Sequence, residues 1–483
     1  MSYTPVQTDF DILYQPVKKR MLKIEILNRK FQVLGMIEGD CKSDSFTIDS
    51  SAVNRRNYQC DISITSNTYL IGSDKRIWFD KYVRPYVGIY SLRDKTYHWY
   101  LKGTFAFSDA NYVYNEEDNS VSLACFDLMS MLSGDRNGRQ TGLSFSIPAG
   151  EDVRTSIIGI IKVFGFNQYR IDLPDIAVQY DLEFSANATA YDMIEELMQF
   201  CPNYEFFFDI DGVFCIQRMP CYTDDITILD NDILHRLRTS DEESYSLDFK
   251  TVKNCIEIWG KEFDEESLSG FADATYIDNT YNVEYEAITE LSEYMLFGLT
   301  APAANEDGVK ICINGEWTFD LYDRYENKLS AGIMEANSSY VFLYQNSKVY
   351  FLGGFQIHAT FKNEIADSPF SIDNIGEEIW EIKSGTDYEN ITSDAEAYER
   401  AMYEAYQSNF NESLSLTLED IPWLDVNQKV SYQAQNMNID EPVEWLISSI
   451  NGSATEDGGT INVSLVRWYP DWSEIYDSTI KSR

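Results

Sequence analysis

Histidine is scarce in this sequence, and the motifs of the common hydrolases and nucleotide-binding enzymes are missing. The 483 residues include three histidines, His98, His235 and His358, and none has a second histidine or a cysteine at metal-ligand spacing. The sequence contains no H-E-x-x-H, G-x-S-x-G, G-x-x-x-x-G-K or G-x-G-x-x-G motif. A serine or cysteine nucleophile would depend on one of these three histidines as its base. We therefore expect no catalytic residues, no cofactor and no metal site.

Positive charge is also in short supply. The chain carries 79 Asp and Glu against 38 Lys and Arg, a net charge of −41, and its isoelectric point is near 4.3. A surface this acidic repels phosphate, which excludes a conventional nucleic-acid binder and a binder of anionic membranes. The excess of negative charge is typical of a soluble, salt-tolerant protein. It equally suits a protein past which DNA moves without being captured.

Long apolar segments and paired cysteines are absent as well. Residues 1–6 show no signal peptide, and the longest apolar run, 157–166, is about half the ~20 residues that a membrane span needs. The eight cysteines form no C-x-x-C pair, and several, such as Cys60, Cys125 and Cys255, lie on apolar strand faces. They are expected to be free thiols that pack as small hydrophobic side chains. We predict a protein without a membrane span, made in a reducing cytoplasm.

Aromatic residues and alternating apolar positions are abundant, and they predict a mainly β protein with α+β parts. The chain has 33 Tyr and 27 Phe, which suit half-buried strands. Residues 1–20, with Pro5 and Pro16, are predicted to form an extended N-terminal arm. Residues 21–140 contain six short predicted strands, which indicate a first small antiparallel β-barrel. The alternation of Val121, Leu123 and Cys125 places these three side chains on one face of a strand.

Residues 141–240 are predicted to form an α/β middle domain. A helix is expected at 153–164, and a second helix should begin at a capping box of Thr189 and Asp192. Asp211-Gly212 separates two apolar runs, which predicts a hairpin with a type I′ turn. The segment from Asp209 to Gly212 also resembles the start of a calcium loop, but the remaining ligands are missing, so the hairpin is favoured.

The rest of the chain is predicted to hold a second β-barrel that is interrupted by an inserted β module. The barrel comprises 241–263 and 386–475, the module comprises 264–385, and 476–483 is a C-terminal tail. In the module, hairpins are expected at Asn314-Gly315 and at 345–347. In the barrel, a helix should begin at Ser393 with Glu396 as its capping partner, followed by strands at 414–418, 430–433, 443–450 and 460–466.

An internal similarity links the two predicted barrels. A segment beginning at Trp99 is followed by a turn and a strand beginning at Val121, and a segment beginning at Trp445 is followed by a turn and a strand beginning at Ile461. The features follow in the same order, and we therefore interpret the second barrel as a duplicate of the first.

The aromatic residues of the inserted module are the candidate contacts for a glycan or a protein partner. We single out Trp317, Tyr325, Tyr344 and Tyr350. The alternation of Trp317 with Phe319 places both on an apolar face, so the interpretation as core residues is favoured over a sugar-stacking surface.

Three stretches, 83–132, 188–218 and 393–468, resemble in their order of parts the hub or tail-tip proteins of tailed bacteriophages. This group includes contractile-phage baseplate hubs and the N-terminal region of siphophage tail-associated proteins. The best-matching features are the strand Ser120–Asp127 and the Tyr- and Ala-rich helix that precedes Leu414. The stretch from Pro302 to Gly354 looks like a small β module that recurs in phage tail proteins.

The resemblance implies a structural virion protein with two tube-type barrels in each subunit of a homotrimer. Such a trimer would form a pseudo-sixfold ring that caps or continues a hexameric tail tube. The implied partners are the distal tail protein ring, the C-terminus of the tape-measure protein, and tail fibre or receptor-binding proteins. DNA would be passing cargo in an ejection channel with an acidic lumen. The implied location is the tail tip of a virion assembled in the host cytoplasm.

Two other classes of function are alternatives. One is a carbohydrate-binding adhesin of the tail, which would bind glycans through the 264–385 module. The other is a glycoside or cell-wall hydrolase, which would need two carboxyl groups within roughly 5–10 Å of each other in a cleft. Many siphophage relatives carry a C-terminal cell-wall hydrolase or receptor-binding extension, whereas this sequence ends at Arg483 directly after the second barrel, so we expect no enzymatic role.

Overall fold

The structure, a computed structural model, describes residues 4–467 except for 17, 39–40, 65, 115–118, 142–144, 149, 179–181, 186, 202–203, 219–226, 325, 367, 386–387, 390, 409–411, 435–440 and 456–457. The described chain is mainly β with α+β parts and includes a nearly closed, barrel-like sheet. The predicted fold class is therefore confirmed. None of the helices in these residues is long and apolar enough to cross a membrane.

The first 140 residues form a short helix followed by eight strands: α1 (Gln7–Leu13), β1 (Arg20–Leu27), β2 (Val33–Glu38), β3 (Cys41–Asp49), β4 (Arg56–Ser63), the 3-10 turn η1 (Asn67–Tyr69), β5 (Tyr82–Ser91), β6 (Thr96–Leu101), β7 (Phe105–Tyr114), β8 (Asn119–Asp127) and the 3-10 turn η2 (Leu128–Met131). The predicted extended arm is wrong for residues 7–13, which form α1. This helix forms because Ile12 and Leu13 are buried in the sheet core. In addition, the Asp9 carboxylate accepts the Val6 N–H at 2.7 Å and the Tyr100 hydroxyl at 2.6 Å.

The middle segment combines three helices with short strands: β9 (Phe145–Ile147), α2 (Val153–Val163), β10 (Tyr169–Ile171), β11 (Leu182–Phe184), α3 (Ala190–Met198), β12 (Tyr204–Phe208), β13 (Phe214–Arg218), β14 (Thr227–Leu229) and α4 (Asn231–Leu237). Both predicted helices are confirmed. The capping box of α3 is formed, with the Thr189 hydroxyl accepting the Asp192 N–H at 3.0 Å and the Asp192 carboxylate accepting the Thr189 N–H at 2.8 Å.

The β12–β13 hairpin is confirmed, but the predicted type I′ turn is wrong. Only Gly212 of the Asp211-Gly212 pair has a positive φ, at 79°, whereas a type I′ turn needs positive φ at both central residues. The Asp209 carboxylate explains the difference. It accepts the N–H groups of Asp211 at 3.0 Å and Val213 at 2.9 Å, and so holds a longer turn.

Most elements of the remaining chain are strands: β15 (Arg238–Leu247), β16 (Cys255–Glu262), the 3-10 turn η3 (Glu265–Ser267), β17 (Phe271–Asp273), β18 (Thr275–Ile277), β19 (Thr280–Val283), β20 (Met295–Ala301), β21 (Lys310–Ile313), β22 (Trp317–Tyr322), β23 (Ser338–Gln345), β24 (Lys348–Gly354), β25 (Gln356–Lys362), α5 (Ile372–Ile375), β26 (Trp380–Lys383), α6 (Asp394–Gln407), β27 (Glu412–Glu419), β28 (Lys429–Tyr432), β29 (Val443–Thr455) and β30 (Gly458–Arg467).

Strands from both ends of the chain belong to a single 14-stranded sheet. Its order is β15-β27-β30-β29-β3-β4-β8-β7-β5-β1-β2, with β14, β28 and β6 attached to its sides. The strands β1–β8 and the strands β27–β30, which we call the two β-rich segments, meet where β3 pairs antiparallel with β29, from Asp49 opposite Ser449 to Ser43 opposite Thr455. One hydrophobic core, which includes Phe46, Tyr58 and Trp445, extends beneath both segments. The domain boundaries expected from the sequence stay predictions.

The internal similarity between the two segments is only partly reflected in their strand pairing. The strand of Trp445 forms a hairpin with the strand of Ile461. The strand of Trp99 does not pair with the strand of Val121 in the described residues, because β6 pairs with β5, whereas β8 lies between β4 and β7.

Residues 271–354 form a separate eight-stranded sheet, in which both predicted hairpins are confirmed. Asn314 and Gly315 have φ values of 51° and 66°, and Asn346 and Ser347 have values of 52° and 62°, so both turns use left-handed residues. A further three-stranded sheet has the order β25-β16-β26, and α6 packs on one side of it. The predicted cap of α6 is also formed, with the Ser393 hydroxyl accepting the Glu396 N–H at 3.3 Å.

Candidate functional site

On one side of five adjacent strands of the 14-stranded sheet, β27, β30, β29, β3 and β4, the side chains are mostly small and polar. Side chains alternate between the two faces of a strand, and paired residues in register lie on the same face. Burial follows this alternation closely in β27, β29, β30, β3 and β4. The outward positions, which we call the polar face, are Ser413, Ser415, Thr417 and Glu419 of β27; Thr460, Asn462, Ser464 and the apolar Val466 of β30; Ser449, Asn451, Ser453 and Thr455 of β29; Ser43, Ser45, Thr47 and Asp49 of β3; and Asn57, Gln59, Asp61 and Ser63 of β4.

The composition of the polar face is its most informative property. Serine, threonine, asparagine and glutamine predominate, the charged members are carboxylates, and none is lysine or arginine. At its border, Lys18 from the segment before β1 forms an ion pair with Glu419. The face is continuous across the β3–β29 pairing, so both β-rich segments contribute to it.

Hydrogen bonds hold several of these side chains against the sheet. Asp61 accepts the hydroxyl protons of Ser43 at 2.9 Å and of Ser122, on the neighbouring β8, at 2.6 Å. The Thr417 hydroxyl donates to the Asn462 amide oxygen at 2.8 Å. Because these side chains are short and several of them hydrogen-bond to one another, the face presents a predominantly polar surface.

A cleft of about 710 Å³ opens above this face, between the ends of the β7–β8 and β29–β30 hairpins. Its lining includes three aspartates, Asp44, Asp61 and Asp109, among residues that are mostly serine, threonine and other small or polar types. Within the described part of the chain, no group of three or more His, Cys, Asp or Glu side chains is placed to hold a metal ion. The cleft therefore offers hydrogen bonds and negative charge.

Buried charges join the two segments beneath the polar face. Arg20 of β1 lies 3.1 Å from the Asp44 carboxylate and 3.4 Å from that of Asp420, which follows β27. Lys102, which is 5% exposed, lies 4.0 Å from Asp420. Burial raises the pKa of Asp44 although Arg20 opposes this shift, and burial lowers the pKa of Lys102 although Asp420 opposes it. A network with this many buried charges tolerates little displacement of one segment against the other.

The middle segment also forms polar contacts where the two β-rich segments meet. The Glu205 carboxylate of β12 forms an ion pair with Arg55, just before β4. It also accepts the amide N–H groups of Asn427, just before β28, at 2.9 and 3.0 Å. One carboxylate thus connects three parts of the chain.

The aromatic residues predicted as contacts do not form one surface. Trp317 and Tyr344 are half-buried against one core of the inserted module, where Tyr344 meets Phe319 edge-to-face with ring centroids 5.5 Å apart. Tyr350 is buried in a different core, and its hydroxyl donates to Glu326 at 3.1 Å. Tyr344 and Tyr350 lie on opposite faces of their hairpin, because Tyr350 pairs with Leu343. Tyr325 lies outside the described residues.

The three histidines occupy unrelated places. His98 Nε2 lies 3.1 Å from Asp94, the ring of His235 packs on that of Tyr432, and His358 Nε2 lies 2.7 Å from Glu257. The predicted free thiols Cys60, Cys125 and Cys255 are confirmed as buried and unpaired.

We missed the polar face in the sequence, although its signal was present. The alternation of Leu414, Leu416 and Leu418 predicts a strand, and the residues between them are polar. Those residues, Ser413, Ser415 and Thr417, and their counterparts in β3, β4, β29 and β30, carry the pattern.

Comparison with known proteins gives matches at the level of fold. Residues 367–472 match the model of a family described as a domain of unknown function, DUF5048. The 43 kDa tail protein of prophage MuSo2 from Shewanella oneidensis has a similar structure, with a TM-score of 0.51 and 12% identity over 94% of this chain and 99% of that one. No curated protein sequence matches.

Two further tail proteins align over similar lengths. The tail protein from Neisseria meningitidis MC58 has a TM-score of 0.48 and 7% identity over 94% of this chain and 99% of its own. The prophage tail protein gp18 from Listeria monocytogenes EGD-e has a TM-score of 0.43 and 10% identity over 95% of this chain and 100% of its own. The fold is that of a phage tail protein, as the Shewanella structure shows, and the predicted resemblance is confirmed to that extent.

Proposed function

We propose that this protein is a structural component of a phage tail, a homotrimeric tail-tip or baseplate hub whose polar face lines the channel through which DNA leaves. The observation that carries the proposal is the composition of the polar face, which continues from β27, β30 and β29 across the pairing into β3 and β4 without a lysine or arginine. The fold that the chain shares with a phage tail protein supports it.

The physical reason lies in how proteins hold DNA. A protein binds duplex DNA mainly by placing lysine and arginine against its phosphates and releasing counterions. A wall of hydroxyls, amides and occasional carboxylates provides no such stabilisation, so DNA passes along it without being retained. The net charge of −41 acts in the same direction.

The arrangement of the sheet supports a ring. Each chain contributes two β-rich segments to one sheet, held together by the β3–β29 pairing and the buried charges around Arg20. Three chains would therefore present six such segments around an axis, which matches the sixfold symmetry of a tail tube. The proposed partners are the tail tube or distal tail ring on one side, fibres or receptor-binding proteins on the other, and the end of the tape-measure protein.

Within this proposal the protein assembles, seals and opens a channel and has no enzymatic role. The test is the mass of the purified full-length chain, measured by light scattering at two concentrations and two salt levels. We expect a trimer of about 167 kDa, three times the 55.7 kDa chain, and rings in negative-stain images. A monomer under all four conditions would overturn the trimeric hub.

A further inference from the structure

The three-stranded sheet has one face that α6 does not cover. Ile256, Ile258 and Phe361 point toward α6 and form a core with it. The opposite face, which we call the tryptophan face, carries Trp380 and Ile382 of β26; Cys255, Glu257 and Trp259 of β16; and His358, Thr360 and Lys362 of β25. Register places all eight on the same side, because Cys255 is paired with both Trp380 and Lys362, and Glu257 with both Ile382 and Thr360.

The apolar side chains of this face are unusually open to solvent. Trp259 is 37% exposed, Trp380 41% and Ile382 63%. Trp380 is paired with Cys255, and Trp259 lies four residues further along β16. The strand positions that carry the two indoles are therefore about 13 Å apart along the strand direction. Since α6 supports the sheet from behind, the spacing of the two rings is fixed.

Each indole is flanked on one side by a polar group. The ring of His358 lies 4.3 Å from that of Trp259, and the Lys362 ammonium lies 5.2 Å from the centre of the Trp380 ring. The Trp380 indole N–H donates to the Glu378 carboxylate at 3.0 Å. These interactions fix the orientation of both rings while leaving part of each exposed.

Ion pairs and hydrogen bonds hold the polar groups of the face. Lys362 is paired with Glu378 at 2.6 Å, and His358 contacts Glu257 at 2.7 Å. The face thus presents hydrogen-bonding groups in fixed positions. Glu257 and Thr360 also separate the apolar groups, so the face lacks the continuous apolar patch that is typical of a protein-docking site.

We propose that the tryptophan face binds a neutral polysaccharide, one sugar ring stacking on Trp259 and another on Trp380. The C–H face of a pyranose stacks on an indole, and its hydroxyls hydrogen-bond to carboxylate, imidazole and ammonium groups such as those of Glu257, His358 and Lys362. A neutral glycan also avoids the repulsion that a protein of net charge −41 exerts on anionic polymers. This proposal does not depend on the trimer or the channel.

The test uses the full-length chain with two soluble neutral probes, chitohexaose and cellohexaose, and with insoluble chitin and cellulose. Binding is followed by calorimetry, tryptophan fluorescence and co-sedimentation. We expect binding to at least one probe class, at least tenfold weaker affinity for Trp259→Ala and for Trp380→Ala, and no binding by the double variant. Trp78→Ala is the matched control, because Trp78 is 40% exposed and lies outside this face.

Circular dichroism and the melting temperature of each variant show whether it is folded. The proposal is overturned if the wild-type chain binds none of the four probes, or if the folded double variant binds as well as wild type. It is also overturned if the double variant changes the oligomeric mass and no glycan binds, since the face is then a protein interface.

Discussion

Arg56 and Asp425, 369 positions apart in the chain, form a bidentate ion pair at the junction of the two β-rich segments. Arg56 Nη2 lies 2.7 and 2.5 Å from the two carboxylate oxygens of Asp425. The other terminal nitrogen, Nη1, donates to the backbone carbonyl of Phe208 at 2.9 Å. One buried guanidinium thus connects β4, the β12–β13 hairpin and the segment after β27.

Loss of this guanidinium should destabilise the protein strongly. In Arg56→Met, the Asp425 carboxylate and the Phe208 carbonyl lose the guanidinium, although the Val426 N–H still donates to Asp425 at 2.9 Å, and we expect a loss of about 3 kcal/mol in the free energy of unfolding. Arg93→Met is the control, because Arg93 makes an exposed ion pair with Asp11 that should contribute less than about 1 kcal/mol. Urea unfolding followed by tryptophan fluorescence measures both. Equal effects of the two substitutions would contradict the role given to Arg56.

The β3–β29 pairing depends on a glycine. A Cβ atom at Gly452 would lie 2.3 Å from the ring of Phe46, its partner across the two strands. Gly452→Ala should therefore force this buried ring to move, at a cost of about 1–3 kcal/mol in the free energy of unfolding. Gly159→Ala is the opposite case. Gly159 lies within α2, and a Cβ atom there would meet nothing within 4 Å, so the substitution should raise the free energy of unfolding by about 0.5–1 kcal/mol. Thermal and urea unfolding should show a lower stability for Gly452→Ala and a higher stability for Gly159→Ala.

Cations placed on the polar face should make it retain DNA. The triple variant Gln59→Lys, Asn451→Lys, Ser453→Lys adds three exposed lysines to it. Each phosphate that a lysine neutralises steepens the dependence of log affinity on log salt by about 0.9, so we expect a slope of about −3. Mobility shift of linear duplex DNA at several salt concentrations measures this slope.

The control for the DNA experiment carries the same added charge elsewhere. Ser330, Ala331 and Ala336 are exposed positions of the inserted module, and changing all three to lysine should give binding at least tenfold weaker than the polar-face variant. The wild-type chain should give no shift. Equal binding by the two triple variants would show that the polar face has no special relation to DNA.

Asp127 should make stability depend on pH. It is 2% exposed, and burial raises its pKa to about 6 although the N–H of Met129 and the charge of Arg56 oppose this. Because this pKa lies above the unfolded value, the folded state holds the proton more tightly, and its contribution to stability falls as pH rises from about 4 to about 6. We expect wild type to lose about 3 kcal/mol relative to Asp127→Asn between about pH 4 and pH 7. Urea unfolding across this range checks it, and a difference that is constant with pH would refute it.

Local features of the fold were predictable from sequence because local chemistry determines them. The α3 cap needs only Thr189 and Asp192, and the turn at Asn314-Gly315 needs only two residues that tolerate positive φ. At Asp209, the prediction of the turn type failed because a side chain outside the Asp-Gly pair competes for the backbone N–H groups.

The pairing of β3 with β29 could not be predicted in this way. Both strands show the same alternation as their neighbours, so alternation alone gives no reason for Asp49 to lie opposite Ser449. Partner choice depends on the shared core and on buried charges such as Arg20 and Asp420, which are brought together only in the folded chain. The polar residues of each strand can be found from the alternation in the sequence, but the continuous polar face cannot, because it exists only when that pairing joins its two parts.

The β3–β29 pairing also affects the timing of folding during synthesis. β3 ends at Asp49, but its partner strand begins at Val443. About 400 residues are therefore synthesised before this edge of β3 can be paired. At the usual rate of about 5–20 residues per second, the wait lasts about 20–80 seconds. An open strand edge is a template for pairing with another chain. During synthesis the nascent protein is therefore open to mispairing with another chain. Slow translation of the inserted module lengthens the time for which the edge of β3 is unpaired.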